Sequence, residues 1–166
     1  MAKVLYIDYQ RCTGCRTCEQ VCAVKHDGVL NPMRSRIKIM KWEAEGLYVP
    51  ISCQQCQDAP CMSVCPVKAI YRDEELGRVE LDYDACIGCR SCVVVCPFGA
   101  MSFNPIDRQV FKCDLCDGDP QCVRFCDVEA IRYVDAEEVA IDKKRHAAEK
   151  LSLAGKESAA LLAQMQ

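Results

Sequence analysis

The most specific chemistry in this chain belongs to four cysteines between positions 86 and 97. They are Cys86, Cys89, Cys92 and Cys96, spaced C-x2-C-x2-C-x3-C and followed by Pro97. Three thiolates so close together allow one loop to surround three corners of a 4Fe–4S cube, while the fourth cysteine ligates a second cluster. We expect Gly88 to lie where the backbone passes close to sulfur. We expect Pro97 to fix the direction in which the chain leaves the site.

The remaining cysteines form three similar quartets. The 16 cysteines of the chain thus divide into four groups of four with none left over. The other quartets are Cys12, Cys15, Cys18 and Cys22; Cys53, Cys56, Cys61 and Cys65; and Cys113, Cys116, Cys122 and Cys126. This arithmetic favours four centres with four ligands each.

Zinc and disulfide bonds are the alternative uses of so many cysteines. Zinc ribbons usually separate two C-x2-C pairs by a longer loop, whereas a third cysteine follows directly in the first and third quartets. Cysteines at i, i+3 and i+6 are poor disulfide partners for each other. Iron–sulfur ligation is therefore favoured.

The other residues predict no catalytic site. His26 and His146 are the only histidines, and no Ser/His/Asp arrangement, phosphate loop or dinucleotide fingerprint is present. His146 follows a charged run and is expected to be solvated. Asp8 and Asp82 precede the first and third quartets at matching positions, and we expect them to form turns. We predict a chain that carries electrons without transforming a substrate.

Length and charge narrow the function classes further. The 166 residues suffice for one or two small domains, and the net charge of −3 disfavours nucleic acid as a partner. No apolar run approaches the roughly 18 residues of a membrane span, and the first eight residues resemble a strand rather than a signal peptide. We expect a cytoplasmic protein.

Short strands are expected to connect the quartets. Alternating residues predict two hairpins. They pair residues 69–72 with 78–82 and residues 100–103 with 109–112. The last strand, 130–134, is expected to pair near the first, 3–7.

The main insertion is residues 23–52, between the first two quartets. Residues 35–42 and 46–51 are predicted to form paired strands within it. Trp42, the only tryptophan, is interpreted as a cover that shields a cluster from water, with contact to a partner as the alternative.

Residues 135–166 contain no cysteine and are rich in helix formers. Gly155 is expected to divide two helices, with Leu151 before the break and with Leu161, Leu162 and Met165 after it. Because such a segment is too poor in apolar surface to fold alone, we expect it to dock on its own domain, a partner subunit or a second copy.

The chain also repeats itself. Residues 8–18 match residues 82–92, and residues 58–70 parallel residues 119–131. This pattern predicts a duplicated unit of two motifs.

The quartets and their order resemble the four-cluster ferredoxin-like electron-transfer subunits of molybdenum and tungsten oxidoreductases, including the polyferredoxin subunits of tungsten aldehyde oxidoreductases. The resemblance covers residues 3–134 and implies an α+β, duplicated bacterial-ferredoxin-like domain with four 4Fe–4S clusters, short strands, hairpins and short helices, plus the C-terminal helical tail. It implies an electron-transfer subunit without its own catalytic site. The partners would be a catalytic Mo/W subunit and a flavin or other acceptor subunit, with self-association through the tail.

The resemblance also implies a nested pairing of the quartets, with each fourth cysteine on a short helix between two cubes. The implied sets are Cys12, Cys15 and Cys18 with Cys126; Cys113, Cys116 and Cys122 with Cys22; Cys53, Cys56 and Cys61 with Cys96; and Cys86, Cys89 and Cys92 with Cys65. Ala23 and Asp127 depart from the family, since proline follows the fourth cysteine in the second and third quartets.

Four basic residues lie beside ligands and could raise cluster potentials, with surface ion pairing as the alternative. They are Arg16, Arg90, Lys112 and Arg124. Two other function classes stay open. One is a redox-sensing iron–sulfur regulator, although no effector module is visible, and the other is a zinc-stapled interaction scaffold.

Overall fold

The fold consists of short strands and short helices. The structure, a computed structural model, describes residues 3–145, 147, 148 and 152. The strands are β1 Lys3–Ile7, β2 Lys38–Trp42, β3 Leu47–Ile51, β4 Ile70–Asp73, β5 Arg78–Leu81, β6 Ser102–Asn104, β7 Gln109–Phe111 and β8 Ile131–Asp135. The helices of the cysteine-bearing part are α1 Thr17–Asp27, α2 Pro60–Ser63, α3 Ser91–Val95 and α4 Gln121–Arg124. This α+β architecture agrees with the ferredoxin-like class that the sequence predicts.

In the part of the chain that the structure describes, each strand pairs with one other strand. The predicted hairpins β4–β5 and β6–β7 are confirmed as antiparallel pairs, as is the insertion hairpin β2–β3. The predicted pairing of the last strand with the first is confirmed by the β1–β8 sheet. Two-stranded sheets are marginally stable by themselves, so packing between them must supply the rest.

The residue after the fourth cysteine helps to explain why α1 is longer than α3. Ala23 follows Cys22 and lets α1 continue to Asp27, where Gly28 ends it with a left-handed backbone. Pro97 restricts the preceding residue to extended backbone, and Cys96 accordingly ends α3 with φ −67° and ψ 112°.

The expectation that every fourth cysteine lies on a helix was therefore wrong for three of the four. Cys22 lies inside α1, whereas Cys65, Cys96 and Cys126 lie just past α2, α3 and α4. Proline explains the first two of these exits. Cys126 leaves its helix in the same way although Asp127 stands in place of the proline.

The loops of the first and third quartets have matching backbone conformations. Gly14 and Gly88 have φ of 69° and 66°, and Arg16 and Arg90 have φ of 65° and 66°. At Gly88, a Cβ would meet the backbone oxygen of Arg108, so this position also needs glycine because of a close approach between two backbone segments.

Among the described residues, two clusters of buried side chains form the core, and cysteines belong to both. One contains Ile70, Val79, Leu81 and Val110 among others, and partly buried cysteines of the second and third quartets pack against it. The other joins Ile37, Ile39 and Ile131 to cysteines of the first and fourth quartets. Helix α1 packs against α4, and α2 against α3.

Tyr48, not Trp42, contacts the cysteine-bearing core from the insertion. Trp42 is 48% exposed and is part of neither buried cluster. Tyr48 packs against the cluster that contains Cys18 and Cys22, with its ring beside Gly14. The shielding role predicted for Trp42 was wrong.

Residues 5–133 form one compact unit, and the other described residues belong to a second. Residues 136–145 are helical, as the composition predicts. His146, Leu151 and the predicted break at Gly155 lie outside the described residues, as do Leu161, Leu162 and Met165. Within the described part of the chain, the helices are too short or too polar to cross a bilayer.

Gly14→Ala should destabilise the fold more than Gly28→Ala. Both glycines have a φ close to 70°, which costs an L-residue about 1–2 kcal/mol. At Gly14 a Cβ would also lie 2.5 Å from the Tyr48 ring, whereas Gly28 has open space. Overpacking of this kind adds about 1–3 kcal/mol. Anaerobic denaturant unfolding followed by circular dichroism measures both free energies, and equal losses would contradict the close contact.

Candidate metal centres

Three cavities are each lined by four cysteines from two distant segments. We name the cysteine groups site A, site C and site D. Site A is Cys12, Cys15, Cys18 and Cys126; site C is Cys53, Cys56, Cys61 and Cys96; site D is Cys65, Cys86, Cys89 and Cys92. The empty space in each cavity, including open solvent at its mouth, is about 320, 360 and 290 Å³ respectively. Most other lining residues are apolar.

The remaining cysteines form a fourth group, site B. Site B is Cys22, Cys113, Cys116 and Cys122. The pKa of Cys122 is raised by burial first, and then by the negative charges of Cys113, Cys22 and Cys116. Burial likewise raises the pKa of Cys116, and Cys22 contributes. The four groups bring together the same residues as the nested pairing implied by the family resemblance.

Crowding makes these thiols unfavourable as free thiolates. The pKa of Cys18 is raised to about 12 and that of Cys92 to about 11; burial is the largest cause of both shifts, and the charges of neighbouring cysteines of the same group contribute to them. A bound cation removes this penalty because ligand thiolates are stabilised by the metal. The arrangement therefore suits a metal-containing group.

Cys15 and Cys89 differ from the buried cysteines. Both are exposed, at matching positions of sites A and D. Hydrogen bonds from Thr17 lower the pKa of Cys15, and hydrogen bonds from Ser91 lower that of Cys89. Sites A and D are therefore the two groups with a cysteine at the surface.

No three sulfurs lie as close together as the ligands of a single zinc ion would. Tetrahedral zinc with bonds of about 2.3 Å to sulfur places its ligand sulfurs roughly 3.8 Å apart. Among the described residues, which include every cysteine, no three sulfurs lie within 4.8 Å of one another. A cube with iron at four corners holds its ligands further apart, so the donor sets fit a 4Fe–4S cluster.

Backbone N–H groups donate to several of the sulfurs. The amides of Ala69 and Ala100 lie 3.3 and 3.4 Å from the sulfurs of Cys65 and Cys96, each four residues earlier in the chain. The amide of Arg36 lies 3.2 Å from the sulfur of Cys22. Such hydrogen bonds stabilise negative charge on sulfur and tune an iron–sulfur centre.

Glu19 fixes the helix that carries Cys18 and Cys22. Its carboxylate is 1% exposed and accepts hydrogen bonds from the Ile39 amide at 2.7 Å and from the Arg16 guanidinium at 2.6 Å. One side chain thus ties α1 to β2 and orients the left-handed residue that starts α1. The predicted turn roles of Asp8 and Asp82 are also confirmed, since both carboxylates accept backbone N–H groups two residues on.

A polar group that the sequence pattern did not reveal lies beside site B. His26 Nε2 is 3.6 Å from the sulfur of Cys116 and 3.5 Å from Asp114, which is also paired with Arg36. Burial and the charge of Arg36 lower the pKa of His26. Burial would raise the pKa of Asp114, but Arg36 and His26 outweigh it and hold that pKa low. The contact joins residues from distant segments, so spacing alone gave no signal.

Comparison with known proteins identifies the cysteine-rich segments. Residues 44–136 match the family described as 4Fe-4S dicluster domain, and residues 12–25 match a 4Fe-4S binding domain. The polyferredoxin-like subunit of the aliphatic sulfonate oxidoreductase of Pyrococcus furiosus is 40% identical over 74% of this chain and 70% of its own.

Two further comparisons point the same way. The thiosulfate reductase electron transfer subunit PhsB of Salmonella typhi is 35% identical over 84% of this chain and 79% of its own. A chain of the active site complex BamBC of benzoyl coenzyme A reductase, in complex with zinc, is 28% identical with a TM-score of 0.50 and covers 89% of this chain and 90% of its own.

Glu19→Ala should destabilise the protein by about 1–3 kcal/mol, because the buried Ile39 amide loses its acceptor. Glu43→Ala is the matched control, since Glu43 makes its contacts with Lys41 and Tyr48 at the surface, where such pairs contribute little. Thermal unfolding under anaerobic conditions measures both. Equal stability of the two variants would show that Glu19 does not anchor α1.

Proposed function

Because the chain belongs to the 4Fe-4S dicluster domain family, we propose that it relays single electrons through four 4Fe–4S clusters between a catalytic oxidoreductase subunit and a second redox partner. Relatives across most of the chain are electron transport or electron transfer subunits. The chain is accordingly an electron-transfer subunit rather than the catalytic component of a complex.

Sites A, B, C and D are the proposed ligand sets, so each cluster would be held by three cysteines of one quartet and the fourth cysteine of another. The observation that carries the proposal is the convergence of four thiols from two distant segments in an apolar cavity at sites A, C and D, while no three sulfurs among the described residues lie within 4.8 Å of one another. When bound, a 4Fe–4S cluster supplies one-electron redox chemistry.

Electrostatic neighbours suggest the order of the sites along the relay. The negative charge of Cys18 in site A acts on Cys122 in site B, and Cys53 in site C acts on Cys113 in site B. Cys61 in site C acts on Cys92 in site D. The proposed order is therefore A, B, C, D, and the end sites are those with a surface cysteine.

The catalytic partner is proposed to be a molybdenum or tungsten subunit, with a flavin or other acceptor subunit as the second partner. The named relatives include subunits of sulfonate oxidoreductase and thiosulfate reductase, and the solved relative belongs to benzoyl coenzyme A reductase. Isolation of the tagged chain from its own cell, with metal analysis of the complex, should give Mo or W together with iron. A complex with neither metal would contradict this choice of partner.

The domain organisation is part of the proposal. Residues 1–134 would be a duplicated four-cluster domain with its insertion at 23–52, and residues 135–166 a segment for docking or self-association. A cytoplasmic location is proposed because a reducing compartment keeps the thiols available as ligands.

Metal analysis tests the cofactor directly. Anaerobically purified or reconstituted protein is expected to contain about 16 iron and about 16 acid-labile sulfide per chain, with a brown colour that bleaches on reduction. Zinc in place of iron would support the interaction scaffold and contradict the relay.

Pairs of cysteine variants test the nested ligation. Cys65→Ala with Cys89→Ala removes two ligands from site D alone, so iron should fall by about one quarter. Cys61→Ala with Cys65→Ala removes one ligand from each of sites C and D, so that each of these sites keeps three cysteines. We expect this variant to show the signals of 3Fe–4S centres.

Ligation within each quartet would give the reverse result, because Cys61 and Cys65 would then share a cluster. The two variants carry the same number of substitutions, so each is the control for the other. Iron analysis and electron paramagnetic resonance (EPR) distinguish the outcomes.

A further inference from the structure

Lys112 is a buried cation at the end of β7, next to Cys113 of site B. Its side chain is among the largest fully buried ones, and the residue is 2% exposed. The ammonium donates to the Val79 carbonyl, to the Cys113 carbonyl at 2.7 Å and to Gln55 Oε1 at 3.4 Å. An ammonium has three N–H donors, and each of them has an acceptor here.

These acceptors are all neutral. Among the ion pairs of the described residues, none involves Lys112. Arg78, which is similarly buried, pairs with Asp73, Glu80 and Asp117. Burial of a charge costs free energy unless an opposite charge lies nearby. The compensating charge for Lys112 must therefore come from a group other than a carboxylate.

The charge of Lys112 acts on thiolates of two different sites. The positive charge of Lys112 favours the thiolate of Cys61 in site C and that of Cys113 in site B, against the burial that raises both pKa values. Gln55 connects the same two loops, since its Nε2 donates to the Cys113 carbonyl at 2.9 Å while its Oε1 accepts from the Val79 amide at 2.8 Å. The ammonium thus lies at the junction of sites B and C.

We propose that Lys112 is the shared counter-charge of the clusters in sites B and C, and that it raises the reduction potentials of both. The proposal rests on the proposed function. When a one-electron reduction adds a negative charge at either site, the electron comes from the neighbouring site or a redox partner, and no bond is made or broken. A fixed positive charge nearby favours the reduced form of both inner sites over the outer ones.

Lys112→Met tests this in the cluster-loaded protein, because methionine has a similar length and no charge. Anaerobic redox titration followed by EPR measures the midpoint potential of each cluster. We expect the midpoint potentials of two of the four clusters to fall by about 59 mV each, which corresponds to about a tenfold change in the one-electron equilibrium constant. The same titration in the Cys65→Ala, Cys89→Ala background, which lacks site D, should still show both shifts.

Lys25→Met is the matched control. Lys25 follows Cys22 of site B on α1 but is exposed to water, where its charge is screened. In this variant the one-electron equilibrium constant of each of the four clusters should change by no more than about twofold. Unchanged midpoints in Lys112→Met, or equal shifts of all four, would overturn the counter-charge role.

Lys112→Arg covers the case in which Lys112→Met loses iron. If arginine restores the clusters of sites B and C, a positive charge is required there, as proposed. If arginine also fails to hold them, Lys112 is a packing element and the proposal is wrong. Wild-type protein with fewer than four clusters would contradict the proposed function instead, so iron analysis of the wild type separates the two failures.

Discussion

The structure depends on thiols that repel one another and are nevertheless held together. Cys122 lies among three other cysteines in a buried environment, and burial is the larger cause of its raised pKa. Desolvated, crowded thiolates are unstable unless a metal compensates them. The free energy of cluster binding is therefore also free energy of folding, as in other small metal-binding domains. The apolar core alone contributes little to stability, because the strands have three to five residues and α2, α3 and α4 have four or five.

The proposed nested ligation links the two ends of the cysteine-bearing part. Site A would join Cys126 to a loop that begins at Cys12, which closes nearly the whole of residues 5–133 into a ring. Closure of a long loop removes conformational entropy from the unfolded chain, more so than closure of a short one. The buried clusters follow the same division, with sites A and B in one and sites C and D in the other.

Local patterns in the sequence predicted local structure well. Alternating residues located β4–β5 and β6–β7, and Asp8 and Asp82 form the turns expected from their type. The local error is the helix expected at every fourth cysteine, and the other errors concern contacts between distant segments. Whether Tyr48 or Trp42 contacts the cysteine-bearing core depends on which face of the β2–β3 hairpin meets α1. The periodicity of a five-residue strand does not predict that face. The contact of His26 with Cys116 depends on tertiary packing for the same reason.

The four basic residues beside ligands show why charge must be judged in its surroundings. Arg16 is paired with Glu19 and Arg124 with Asp119, and the Arg90 guanidinium lies 3.9 Å from the centre of the Phe103 ring. Two of the four are thus in ion pairs, as the ion-pair interpretation expects, whereas Arg90 contacts an aromatic ring. Arg124 and Asp119 are both exposed, so water screens them.

Lys112 alone of these residues combines burial with neutral acceptors. A charge in a low-dielectric interior acts over longer distances than the same charge at the surface. One buried ammonium can therefore influence two sites at once, whereas the arginines exposed to water influence them little. The electrostatic difference between the inner and outer sites of the proposed relay thus follows from burial more than from the number of charged residues.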